Sequence, residues 1–81
     1  KKFKVLLLND DTTPMDFVIE LLMSIFNKTA TEAEAITINV HVNGKDVAGI
    51  YYFEIAEQKV HEATTTSRRN GFPLSFDIEE V

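Results

Sequence analysis

Between Leu6 and Met15 the chain passes from an apolar run to three acidic or amide side chains and then to a helix start, Leu-Leu-Leu-Asn-Asp-Asp-Thr-Thr-Pro-Met. Val5-Leu6-Leu7-Leu8 is too apolar to face water on both sides of a strand, so the pattern predicts a strand over Lys2 to Leu8 that leaves the core at Asn9-Asp10-Asp11. Thr13-Pro14-Met15-Asp16 then offers an N-cap hydroxyl, a proline at the first helical position and a carboxylate at the third. A polar triplet held between a strand and a helix projects from a rigid base.

Further along, Val18, Leu21, Leu22, Ile25 and Phe26 follow helical spacing and predict a helix from Pro14 to about Phe26 with one buried stripe. Thr29-Ala30-Thr31-Glu32 has the hydroxyl and carboxylate of a capping box and opens a second helix, about Ala30 to Val42, that Asn43-Gly44 ends. Ala33, Ile36, Thr37, Val40 and His41 lie along one side of it, with Thr37 one turn from His41. Lys45 to Tyr52 reads as a strand in which Gly49 marks a bulge or a close backbone approach. Phe53 to Arg69 returns to helical spacing through Ile55, Ala56, Val60, Ala63 and Ser67, and Leu74 to Ile78 alternates as a strand with one buried face. The order β-α-α-β-α-β predicts an α+β domain, a three-stranded antiparallel sheet with three helices packed against it.

At 81 residues the chain is expected to form one domain, residues 1–81, and a monomer. A chain this short buries only ~60% of its unfolded surface and cannot divide that between two cores. With no cysteine it has neither disulfides nor thiolate metal sites, which fits a reducing cytoplasm. No apolar run approaches the ~20 residues of a membrane span, and a net charge of −5, with Arg68-Arg69 the one basic cluster, argues against nucleic acid. A cationic partner fits that charge better.

Asn9, Asp10, Asp11 and His41 include the ligand types of a metal or hydrolytic site, but the set is incomplete. No Ser-His-Asp or Cys-His arrangement and no Gly-rich phosphate loop is present, so neither enzyme chemistry nor a cofactor is expected. From the residues alone, Asp10 and Asp11 are also accounted for by turn chemistry, and His41 by a helix C-terminus.

The arrangement strand, Asn9-Asp10-Asp11-x-Thr13-Pro14-Met15, helix resembles the signature of the ClpS family, bacterial and plastid adaptors that recognise N-degrons. Val40-His41, Gly49, Glu54-Ile55-Ala56-Glu57-x-Lys59-Val60 and Pro73-Leu74 extend the resemblance from about Lys2 to Glu80 in matching order. It implies a fold similar to the C-terminal domain of the ribosomal stalk protein. It also implies a non-enzymatic adaptor that presents substrates with a destabilising first residue to a Clp AAA+ unfoldase of the ClpA type. A plain interaction domain of the stalk-protein fold is the alternative.

By that resemblance Asn9, Asp11 and His41 accept the three N–H bonds of a substrate's α-ammonium group, and Asp10 shapes the loop. Leu8, Thr13, Met15, Val18, Thr37, Val40 and Leu74 would line an apolar hole for the first side chain, taking Phe, Tyr, Trp or Leu. Met15 matches a gatekeeper that excludes residues branched at Cβ. Thr37 stands where the family usually has methionine, so a wider hole is expected, with Leu held less well than aromatics. Protonating His41 would turn an acceptor into a like charge, so affinity should fall on acidification. Glu54 and Lys59 are implied contacts to the unfoldase N-terminal domain. A chain that begins almost at its first strand reads as a trimmed core that would deliver poorly.

Overall fold

The computed structural model describes residues 1–81 in the order β1 (Phe3–Leu8), α1 (Met15–Ile25), α2 (Ala30–Asn43), β2 (Lys45–Tyr51), α3 (Phe53–Arg69) and β3 (Ser75–Glu80). β1 is the middle strand of an antiparallel sheet with the order β2-β1-β3. The central place explains its composition: Val5, Leu6 and Leu7 are all buried, at 0, 5 and 0% exposure. The three helices pack against the sheet, and Leu21, Leu22, Ala33, Ala56 and Ala63 join Val5 and Leu7 in one core.

Phe26, at the end of α1, lies between Tyr51 and Phe76, with ring centroids 6.5 and 5.9 Å away. Val5 pairs with Gly49 but Leu6 with Val47, so Ala48 is an extra residue and β2 bulges there. Gly49 serves the close approach beside that bulge, because the Tyr51 ring lies back over it; a Cβ on Gly49 would stand 2.6 Å from two ring carbons.

The capping box of α2 forms in both directions, Glu32 N–H to Thr29 Oγ1 and Thr29 N–H to Glu32 Oε1. Gly44 ends that helix in the left-handed region at φ 91°. The expected cap on α1 does not form. Pro14 itself is the N-cap, with extended backbone and no side-chain capping bond, because the Thr13 hydroxyl is drawn to Asp10 instead; the Asp16 carboxylate accepts from the Phe17 amide in the first turn. Along α3 the buried stripe is Ala56, Ala63 and Ser67, with Val60 half-buried, while Ile55 turns outward at 42% exposure. β3 runs on through the acidic tail, where Glu79 sits opposite Lys4 with their charges 3.9 Å apart.

Candidate functional site

The polar triplet and the second helix meet because the two chain ends that flank them are joined. The Asn9 amide donates to the Gly44 carbonyl at 2.9 Å, and β2 pairs back along β1 from Lys45 opposite Leu8. The last turn of α2, with His41, is thereby held beside the end of β1.

Between them opens a small cavity of ≈ 40 Å³. β1 contributes Leu7 and Leu8, the loop after it Asn9, Asp10 and Thr13, α1 Met15 and Val18, α2 Thr37, Val40 and His41, and the segment before β3 Leu74. Its inner wall is apolar and closed to solvent, with Leu74, Thr37, Val40 and Val18 at 2, 4, 5 and 6% exposure. Met15, Asn9 and His41 are exposed and form the mouth. All seven residues expected to line an apolar hole are in this lining, together with Asn9, Asp10 and His41. Asp11 is exposed in the next loop position and lies outside it. Leu7 is a lining residue that sequence reasoning missed, because a leucine within a core strand gives no separate signal.

Thr37 owes its place in an apolar wall to its own helix. Its hydroxyl donates to the Ala33 carbonyl at 2.7 Å, which satisfies the only polar atom of its side chain.

Asp10 organises the loop. Oδ1 accepts from the Thr12 and Thr13 amides at 2.8 and 2.7 Å, and the Thr13 hydroxyl donates to the same carboxylate at 2.8 Å from Oδ2. Burial alone would raise the Asp10 carboxyl, but the Thr13 amide and hydroxyl, the Thr12 amide and the positive charge of Arg68 together hold it below the usual carboxylate value. With its acceptors so engaged, Asp10 shapes the mouth and leaves less of itself for a ligand.

An apolar cavity rimmed by an amide and an imidazole can bury one side chain while bonding a polar group attached to it. Nowhere do three His, Cys, Asp or Glu side chains converge as a metal site would need.

The two charges expected to contact a partner part company. Glu54 is exposed in the first turn of α3, whereas Lys59 turns inward, donates from Nζ to the Ile25 carbonyl at 2.8 Å and lies 5.9 Å from the centre of the Tyr51 ring. Lys59 thus closes the C-terminus of α1.

The sequence profile of the family described as "ATP-dependent Clp protease adaptor protein ClpS" matches residues 1–77. The chain is 48% identical over 81 residues to the ATP-dependent Clp protease adapter protein ClpS of Helicobacter hepaticus, covering all of this chain and 82% of that one. It is 50% identical over 77 residues to the protein of the same name from Deinococcus radiodurans, covering 95% of this chain and 68% of that one. The solved structure of Agrobacterium tumefaciens ClpS2 bound to L-phenylalaninamide superposes with a TM-score of 0.94 at 38% identity, covering 98% of this chain and 95% of the other.

Proposed function

This chain belongs to the ClpS family of Clp protease adaptors, and from that premise we propose that it binds the free α-amino group and bulky first side chain of N-degron substrates and presents them to a ClpA-type unfoldase. The observation that carries the reading is the cavity itself, with a closed apolar wall around Thr37, Val40 and Leu74 and with Asn9 and His41 at its mouth. The ligand of the Agrobacterium protein has the chemistry the cavity suits, a primary amine one carbon from a benzyl side chain.

Asn9, Asp11 and His41 each offer an acceptor, and an ammonium carries three donors. Asp11, exposed one loop position beyond the lining, is the carboxylate of the set and would turn toward the amine on binding. Charge-assisted bonds of this kind contribute ~1.5–3 kcal/mol each, and burying the side chain ~1.5–3 kcal/mol more. After immobilisation losses a micromolar affinity, about 8 kcal/mol, is within reach.

The work is binding and presentation, without bond making, by a single monomeric core in the cytoplasm. Glu54, exposed at the start of α3, contacts the unfoldase N-terminal domain directly, and Lys59 supports that surface from behind. Titration with a fluorescent peptide that begins with Phe tests the reading. Micromolar or tighter binding that vanishes on N-acetylation is expected, and equal binding of the acetylated peptide would overturn it.

A further inference from the structure

Arg68 lies in the last turn of α3, and its sequence context marks it only as half of a basic pair. One nitrogen of its guanidinium, Nη1, donates to two carbonyls, Phe72 at 2.9 Å and Leu74 at 2.7 Å. The turn it spans contains Gly71 at φ 82° and leads into β3, so these two bonds set where the chain stands as it passes the cavity. Leu74 is the residue delivered there, 2% exposed and part of the inner wall. The charge of the same guanidinium acts on Asp10, which lies on the loop after β1 and lines the cavity as well. Arg69, the next residue, is exposed and makes neither bond.

A guanidinium is suited to this double duty. Its two terminal nitrogens each carry two hydrogens in a fixed plane, so one of them can serve two carbonyls. Lys59, in the same helix, shows what a lysine does in this fold: it serves one carbonyl, that of Ile25.

We propose that Arg68 is a positioning residue for the binding cavity, fixing the Leu74 wall through its two bonds to the Phe72 and Leu74 carbonyls. This rests on the amine-binding reading above. It explains why a cation is tolerated near a site for a cation: the Arg68 Nη1 is already engaged by two carbonyls.

The test compares the wild-type chain with Arg68→Gln, Arg68→Lys and Arg69→Gln, all well below their melting temperatures. A Phe-initiated peptide with a free amine is the probe. Arg68→Gln is expected to weaken binding roughly tenfold, the scale of one lost charge-assisted contact, with Arg68→Lys intermediate and Arg69→Gln within about twofold of wild type. In Arg68→Gln the affinity should also begin to fall at a higher pH than in wild type as the medium is acidified, because Asp10 then takes up its proton sooner; a merely structural loss would not move that limb.

The peptide-free protein gives the second readout by NMR. Arg68→Gln should shift the Leu74 methyl signals and raise the midpoint at which the Asp10 carboxyl titrates, and Arg69→Gln should do neither. Unmoved Leu74 methyls overturn the inference, as does wild-type affinity in Arg68→Gln. A wild-type chain that binds no Phe-initiated peptide sinks the amine reading instead, and the NMR comparison still decides whether Arg68 sets the cavity wall.

Discussion

The Asn9 amide and the Gly44 carbonyl are 2.9 Å apart, and this one bond joins the end of β1 to the end of α2 at the mouth of the cavity. Gly44 can offer its carbonyl there because it sits at φ 91°, where other residues are strained. Gly44→Ala meets no atom within 4 Å of the added carbon, so only backbone strain is introduced. We expect a loss of about 1–2 kcal/mol in stability and a weaker grip on a Phe-initiated peptide, since His41 stands in the turn that Gly44 ends. Thermal melts and peptide titration check the two effects separately.

Thr37 lines the cavity while its hydroxyl stays on the Ala33 carbonyl. Thr37→Val should therefore leave the order of preference among first residues unchanged. Thr37→Met should narrow the hole, improving Leu relative to Phe and Trp. Titrations with peptides that differ only at the first residue decide this, and a Val variant with a reordered preference would show the hydroxyl to be exposed to ligand.

Acid should act on the fold partly through Asp10. Its carboxyl is held low in the folded chain by the Thr13 and Thr12 bonds, which outweigh burial, so the unfolded chain binds that proton more readily. The stabilisation is then complete above the unfolded carboxyl's pKa of about 3.9 and disappears as pH falls through the lower folded value. Asp10→Asn should be less stable than wild type at neutral pH and show a flatter stability curve below about pH 4. Urea melts across that range provide the measurement.

Gly49→Ala should destabilise the domain by roughly 1–3 kcal/mol, the scale of core overpacking. The new methyl would meet the Tyr51 ring at 2.6 Å, and that ring is also held by Phe26 and Lys59. Adding Tyr51→Leu to Gly49→Ala should cost less than the sum of the single changes, as a double-mutant cycle by denaturant melts will register.

Replacing Lys59 by Met should lower stability by about 1 kcal/mol, because the Ile25 carbonyl loses its donor. Glu54→Gln, on an exposed side chain, should leave the melting temperature in place. An unfoldase-docking assay on both variants, read beside their melts, separates lost contact from lost support.

The residues that make the elements were legible because their signals are local. Val18 to Phe26 repeats at helical spacing, Thr29 and Glu32 are three apart, and Asn43-Gly44 stops a helix; the observed α2 begins where those signs placed it and ends within a residue of where they stop it. Competition was not legible. Thr13 has the chemistry of an N-cap, but Asp10 offers it a charged acceptor, and nothing in the pattern ranks the two. Ile55 and Val60 both fit the apolar stripe of α3, and only the neighbouring sheet decides that Ile55 faces out. Lys59 and Arg68 look like solvated helix charges because their partners are backbone carbonyls, present at every position and so without a signature.

The cavity draws its lining from Leu7 at one end of the chain and Leu74 near the other, with α1 and α2 in between. No fragment shorter than residues 7–74 holds all of it, so the receptor exists only while nearly the whole chain is folded. Ligand binding and global folding are thermodynamically linked in consequence: every occupied molecule draws on the native pool, and a saturating peptide should protect amides far from the cavity, including those of α3, against solvent exchange. A core substitution severe enough to leave a sizeable fraction of the chain unfolded would in turn read, in a binding assay, as a loss of ligand.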